Sequence, residues 1–212
     1  MIRGDEQVEG FDYNETFALV AKMTSVKTFL AVAAAKGWHL HQTDVNNAFL
    51  HGDLDKEVHM TVSRGFRTSN PNKVCRLRKS LYGLKQAPRQ WFAKLSSKLL
   101  EYGFVRSYAD YSLFTYNKGG KFMALLVYVD DIVLIGNDSK LCDDFKVYLD
   151  KCFHIKDLGA LKYILGIEVT RNSKGPFLCQ RKYALEIIDE CGLLGSKQVE
   201  FPIGTDHKLA LP

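Results

Sequence analysis

Two adjacent acids, Asp130 and Asp131, interrupt a highly apolar stretch of the chain, Met123 to Gly136 (MALLVYVDDIVLIG). The setting penalises them twice: like charges side by side repel, and nearby apolar burial disfavours the ionised form. The flanking Val, Leu, Ile and Tyr residues read as two strands buried on both faces, with a hairpin turn at the acids. Asp-Asp is a poor dipeptide for that turn, because two-residue hairpins favour Asn-Gly, Asp-Gly or Gly-X at positions that need positive φ. Binding of a hard divalent cation, which takes oxygen ligands, would reward both penalties. A plain solvated turn is the competing reading.

A third strand-end acid, Asp44, stands near the end of the alternating stretch Trp38 to Val45 (WHLHQTDV). If the two strands are neighbours, Asp44 and Asp130 converge and can hold Mg²⁺, which needs only one or two carboxylates plus substrate phosphates. A two-metal site of this kind clamps the attacking and leaving oxygens of a displacement at phosphorus. Otherwise these are three unrelated surface acids.

The elements that must position these acids follow from local pattern. Ser25 to Lys36 reads as a helix capped by Ser25 and ended by Gly37, with Val26, Phe29, Leu30 and Ala33 on its buried face. Gly52-Asp53 reads as a loop, and Val58 to Val62 and Val74 to Leu77 as short strands. Pro88 to Tyr102 is the clearest helix, with Pro88 in the first turn, Gly103 at the C-cap and an apolar face of Trp91, Phe92, Leu95, Leu99 and Tyr102. Its other face carries Arg89, Lys94 and Lys98, either a solvated surface or a phosphate-facing one. Strands at Ser112–Tyr116 and Phe122–Val129 flank a Gly-Gly hairpin, and a helix capped by Asp138 or Ser139 runs to about Phe153. Tyr163 to Val169 pairs with Phe177 to Gln180 across Asn172–Gly175, then Lys182 to Cys191 forms a last helix before a loose tail. Strands and helices interleave irregularly, and no glycine-rich loop opens a helix after a strand. The expected class is α+β with a mainly antiparallel sheet, and a Rossmann or P-loop reading has no footing.

Composition narrows the classes further. At 212 residues, 46% hydrophobic and 25% charged, the chain can bury a core and is not a disordered composition. Its net charge of +5 is compatible with a polyanionic partner without requiring one. The five cysteines are scattered and odd in number, which suits reduced thiols better than a disulfide framework or a zinc site. With a polar N-terminus and no long apolar run, the expectation is an intracellular protein with no secretion signal and no membrane partner.

Longer motifs then make the chemistry specific. YVDD at Tyr128 to Asp131 resembles the catalytic signature of reverse transcriptases. HQTDVNNAFLHGDL (His41 to Leu54) resembles the first acid motif of copia-type LTR retrotransposons, and SLYGLKQAPRQWF (Ser80 to Phe92) their template-contacting motif. YILGIEV (Tyr163 to Val169) is similar to their primer-grip strand, and QVEGFDYNETF (Gln7 to Phe17) also matches, so the resemblance runs from about Arg3 to Pro202. It implies the reverse transcriptase domain of a copia-type Pol polyprotein, an RNA-directed DNA polymerase with a palm-like α+β fold. Residues 1–180 would form the palm and partial fingers, and 181–212 the start of a thumb and a tail. Asp44, Asp130 and Asp131 would form the catalytic, metal-binding triad for two Mg²⁺ ions, with Mn²⁺ as substitute. Phe49, by itself an ordinary core aromatic, would be the steric gate against a ribose 2′-hydroxyl. Tyr82, Gly83, Lys85 and Arg89 would serve the incoming nucleotide and template, and Tyr128, Leu165 and Gly166 the primer. Either Lys156 or Lys162 would stand near the leaving pyrophosphate.

The implied partners are a primed RNA or DNA template, dNTPs, and the RNase H and integrase domains of a full Pol polyprotein, in a cytoplasmic virus-like particle or the nucleus. The chain starts after most of the fingers sequence usual in the family. Leu19 and Ser63 replace common prolines, His59 a common Tyr and Asp5 a common aromatic. A catalytically inactive remnant with weak nucleic-acid binding is therefore the alternative expectation.

Overall fold

The computed structural model describes residues 4–16, 20–62, 65–66, 70, 73–172 and 175–198; Leu19, Ser63 and most of the tail lie outside them. The chain divides into two compact units, Met1–Leu161 and Lys162–Pro212. The boundary expected at residue 180 is a division by function; by compactness the break lies at 161.

The first unit contains, in order, α1 (Met23–Lys36), β1 (His39–Val45), β2 (Asp53–Thr61), β3 (Val74–Lys79), α2 (Ala87–Tyr102), β4 (Val105–Arg106), β5 (Leu113–Lys118), β6 (Lys121–Tyr128), β7 (Asp131–Gly136), α3 (Ser139–Phe153) and β8 (Ile155–Ala160). Six strands form one sheet in the order β4-β5-β6-β7-β1-β8. Every neighbouring pair is antiparallel. This agrees with the expected class.

The paired apolar runs of β6 and β7 sit in the middle of the sheet, which is why both their faces are greasy. Met123, Leu125, Val127, Ile132 and Leu134 pack with Trp91, Leu95 and Leu99 of α2 and Phe145, Leu149 and Phe153 of α3. The alternate residues Ala124, Leu126, Val133 and Ile135 are buried too. On their side of the sheet, Phe29 and Val32 of α1 line an apolar recess with Ala124 and Ile135. Burying a large aliphatic side chain stabilises by about 1.5–3 kcal/mol, so this two-sided core is the main reserve of stability in the unit.

Local signals set most helix ends. Gly103 takes φ +112° and its N–H caps α2 at Leu99 and Leu100. Asp138 accepts the Leu141 N–H at 2.8 Å to start α3. Ser25 does not cap α1. That helix starts two residues earlier, at Met23, with no side-chain cap of its own. Instead the Asp110 carboxylate accepts the Lys22 N–H at 2.9 Å and a hydrogen bond from Ser25, a tertiary substitute for a local cap.

Gly52-Asp53 is likewise not a loop. Asp53 begins β2, pairs with Lys79 across the β2–β3 hairpin, and its carboxylate contacts Lys79 and Lys94. Gly52 is the reason the chain can turn here: a Cβ on it would lie 2.9 Å from Gln90 Cβ and 3.0 Å from the Trp91 nitrogen on α2.

The second unit contains β9 (Tyr163–Ile164), β10 (Ile167–Asn172), β11 (Gly175–Cys179) and α4 (Arg181–Glu190), with the sheet ordered β11-β10-β9. The strand expected from Tyr163 to Val169 is broken. Ile164 pairs with Ile167, and Leu165 and Gly166 form the turn at φ +50° and +77°, the sign pattern of a type I′ hairpin. Gly166 supplies what the alternating apolar pattern concealed, and Leu165 accepts a left-handed conformation beside it. Lys182 of α4 lies over the Tyr163 ring at 4.6 Å. Among the described residues, no helix is long and apolar enough to cross a membrane.

Because α2 backbone faces Gly52 at close range, Gly52→Ala is expected to destabilise the unit by about 1–3 kcal/mol through overpacking. Urea denaturation followed by circular dichroism measures it; an unchanged midpoint would show that the backbone at Gly52 can shift at no cost.

Candidate active site

Sheet register assembles the site. Tyr128 on β6 pairs with Asp131 on β7, Asp131 pairs with Asp44 on β1, and Asp44 pairs with Lys156 on β8. Directly paired residues point to the same face, with Cβ atoms about 4.5–5.5 Å apart. Four strands thus present Tyr128, Asp131, Asp44 and Lys156 in one row. Strand alternation puts this row on the face opposite α2 and α3.

Asp130 stands beside the row, in the turn itself. The turn residues are Val129 and Asp130, not Asp130 and Asp131, because Tyr128 and Asp131 close the ladder. Val129 has φ +55°, and Asp130 is not among the positive-φ residues. That is the sign pattern of a type II′ hairpin, which normally has glycine at its first central position. A β-branched residue in that region is strained.

Two contacts from outside the hairpin hold the turn. The Trp91 indole N–H donates to the Val129 carbonyl at 2.7 Å. The Val45 N–H donates to the Asp130 carbonyl at 3.1 Å. One residue of β1 also engages an acid: Gln42 Nε2 donates to Asp131 Oδ1 at 3.1 Å.

The electrostatics agree with the crowding. Burial raises the Asp130 carboxyl above the ordinary range, and the charges of Asp44 and Asp131 raise it further. Burial also raises Asp131, helped by Asp44 and opposed by the Gln42 hydrogen bond. Tyr82 feels the same field: burial pushes its hydroxyl up, then the charges of Asp130 and Asp44, while a hydrogen bond from the Phe49 backbone acts the other way. The Tyr82 and Phe49 rings lie 4.6 Å apart. Phe49 follows β1 on the short helical turn Ala48–His51, entered through Asn47 at φ +51°. It packs between the main core and a small cluster of Val58, Leu84 and Ala87.

The basic residues behave differently. Lys85 Nζ reaches the Gln7 carbonyl at 3.3 Å and the Tyr13 hydroxyl at 3.4 Å, and sits 5.2 Å from the Tyr13 ring centroid. Arg89 is ion-paired with Glu15, Lys94 with Asp53 and Lys98 with Glu101. Gly83 is exposed, at φ +98°. Leu165, Gly166 and Lys162 belong to the second unit.

The first unit therefore gathers Asp44, Asp130, Asp131, Tyr128, Tyr82 and Phe49, and adds Lys156. It ties Lys85 and Arg89 to the segment preceding α1. Gln42, Trp91 and Val129 escaped the reading of the sequence. Gln42 had a signal, since two residues before Asp44 on a strand means the same face. Trp91 had a weaker one: a buried indole N–H needs an acceptor.

Among the described residues, no three His, Cys, Asp or Glu side chains enclose a metal position by themselves. The donor set nonetheless suits Mg²⁺, which takes hard oxygen ligands from few carboxylates and completes its shell with water and phosphate. The raised Asp130 and Asp131 carboxyls are what a divalent charge would relieve.

Comparison with known proteins agrees with the geometry. The family model described as reverse transcriptase (RNA-dependent DNA polymerase) matches residues 1–205. The retrovirus-related Pol polyprotein from transposon RE2 of Arabidopsis thaliana is 45% identical over 99% of this chain and 14% of its own length. That from transposon TNT 1-94 of Nicotiana tabacum is 39% identical over 99% of this chain and 16% of its own length. The putative transposon Ty5-1 protein of Saccharomyces cerevisiae is 30% identical over 76% of this chain and 53% of its own length. The chain thus spans a small part of the Pol polyproteins it matches. No solved structure matches it.

The charge crowding has a measurable consequence. With its folded pKa raised above the ordinary 3.8, Asp130 binds its proton more tightly in the fold than in the unfolded chain. Its contribution to stability therefore declines as pH rises from about 4 through the raised value. Asp130→Asn should stabilise the metal-free fold at pH 7, by a few tenths of a kcal/mol because water screens a partly exposed group, with the gain vanishing towards pH 4. Thermal melts in chelator across this range test it; a variant less stable than the parent at pH 7 would show that the turn needs the carboxylate.

Proposed function

The chain belongs to the reverse transcriptase family (RNA-dependent DNA polymerases), and from that premise we propose that it is the polymerase domain of a retrotransposon Pol polyprotein. Its reaction would be nucleotidyl transfer from a dNTP to a primer 3′-hydroxyl on an RNA or DNA template. The α-phosphorus gains the primer oxygen and loses pyrophosphate. The observation that carries this reading is the direct pairing of Asp44 with Asp131, with Asp130 in the adjoining turn.

Asp44 and Asp130 would hold two Mg²⁺ ions, or Mn²⁺, which when bound activate the 3′-hydroxyl and neutralise charge on the leaving group. Asp131, hydrogen-bonded to Gln42, supports that pair from behind. Phe49 would exclude a 2′-hydroxyl by clash, a form of selection that needs no attractive contact. The hydrogen bond from the Phe49 backbone to Tyr82 and the contact of the two rings support this role by fixing the position of Phe49. Tyr128, in the acid row, would pack at the primer terminus, and the Leu165–Gly166 turn would meet the primer backbone. Direct pairing with Asp44 supports Lys156, over Lys162, as the proton source for pyrophosphate. Gly83 lets template approach the backbone closely. Arg89 would exchange Glu15 for a phosphate, at small cost for an exposed pair, and Lys85 would anchor the template-side loop through Gln7 and Tyr13.

RNase H and integrase are the expected companions in the full polyprotein, and the setting is intracellular. The intact acid row weighs against the inactive remnant.

Primer extension on an RNA template with Mg²⁺ and dNTPs tests the reading, using this chain and a longer Pol segment containing it. Asp130→Asn should lower extension by at least about a hundredfold, since a metal ligand contributes several kcal/mol to the transition state; extension at the parent rate would remove the acids from catalysis. Phe49→Val should raise ribonucleotide incorporation relative to deoxynucleotide by about tenfold or more. Unchanged discrimination would leave Phe49 as core packing alone.

A further inference from the structure

Trp91 lies in α2 at 1% exposure, and sequence pattern accounts for it fully as a core residue. Its polar atom does something else. The indole N–H donates to the carbonyl of Val129, 2.7 Å away, and among the described residues Val129 is the sole β-branched residue with positive φ. We infer that Trp91 is a positioning residue whose indole N–H holds the strained Val129–Asp130 turn, and so keeps the Asp130 carboxylate next to Asp44. This rests on the polymerase reading for its consequence in catalysis, though not for the clamp itself.

Three features argue for a clamp beyond ordinary packing. Strained backbone persists only where its surroundings over-determine it. Here both central carbonyls of the turn are bound by groups outside the hairpin, Val129 by Trp91 and Asp130 by the Val45 N–H. Those two donors come from elements distant in sequence, α2 and β1, so the turn is gripped from two directions.

The indole is itself braced. Phe153, the last residue of α3, meets it edge-on at 5.0 Å and 84°, and the His51 ring lies 5.8 Å away. His51 in turn contacts the Asn46 carbonyl at 3.2 Å, just after Asp44 on the chain. The same small group of side chains thus links the segment carrying Asp44 to the turn carrying Asp130.

Without the N–H, the hairpin still has its ladder but not the outside grip on Val129. Relaxation of φ at that residue would swing the neighbouring Asp130. The ring contact between Phe49 and Tyr82 does not involve Trp91.

The test combines an activity split with a measurement that needs no activity. Trp91→Phe keeps an aromatic ring against Phe153 and removes the donor. It should lower kcat by about ten- to a hundredfold, the scale for a misplaced catalytic group, while KM for dNTP moves by less than about threefold. In a Val129→Gly background, where left-handed φ is unstrained, the same substitution should cost less than about threefold. Parent kcat in a folded Trp91→Phe protein, or equal fractional losses in both backgrounds, would overturn the inference.

Should Trp91→Phe fail to fold, benzothienylalanine at position 91 replaces the N–H with sulfur at nearly constant shape. In either variant, amide hydrogen exchange at residues 129–131 should quicken by about tenfold or more while α3 core amides stay protected. Faster exchange in a chain without extension activity would uphold the clamp and count against the polymerase reading. Unchanged exchange in an active chain would do the reverse.

Discussion

The constraint on which the site depends is the register of β1 against β7. Because side chains alternate along a strand, a one-residue slip would send Asp44 to the face covered by α2 and α3. The native register instead sets Asp44 directly against Asp131, like charges opposite each other, an arrangement that destabilises a ladder. The sheet tolerates it because Ile132 and Leu134 of β7 and the alternate residues Val133 and Ile135 are all buried. A one-residue slip of β1 would carry the buried Thr43 and Val45 off the α2–α3 face and turn Gln42 and Asp44 towards it in their place. Hydrophobic burial on both faces thus enforces a charge arrangement that electrostatics alone would reject.

The turn repeats this logic at the scale of one residue. Val129 occupies a conformation suited to glycine, and Asp130 follows it with a carboxyl raised by burial and by two neighbouring acids. Both features oppose stability, and both are held from outside, by α2 through Trp91 and by β1 through Val45. Local rules broken together at one place, within a structure that elsewhere obeys them, are the pattern expected of a functional site. Gln42 moderates the crowding by offering Asp131 a donor without adding charge.

The modest positive charge of the chain is distributed differently from what a phosphate-facing helix suggested. Arg89, Lys94 and Lys98 each find a carboxylate within the chain, and Lys85 finds carbonyl, hydroxyl and ring partners near the N-terminus. Exposed pairs of this kind are worth little and exchange readily, so they keep the surface ordered without committing its cations. Lys156 differs from them in standing by strand register opposite Asp44.

Sequence by itself determined most of the elements and singled out the acids. The apolar runs around Asp130 and Asp131, the face and glycine cap of α2, and the Asp138 cap of α3 are local features, set by residues close in the chain. The motifs carried the family, and with it the roles expected of Asp44 and Phe49. Local pattern misplaced the turn by one residue, took Gly52-Asp53 for a loop, gave α1 a Ser25 cap, and ran one strand through Leu165–Gly166. Each of those was decided elsewhere: by the Tyr128–Asp131 pairing, by Lys79 and Lys94 meeting Asp53, by Asp110 reaching Lys22, and by β9 folding back on β10. The candidate acids were legible because carboxylates among apolar strands are costly wherever they fall. That Gln42 meets Asp131, that Trp91 meets the Val129 carbonyl and that Lys156 pairs with Asp44 was decided only by tertiary structure, because hydrogen-bond partners and cross-strand neighbours depend on register and packing between segments far apart in the chain.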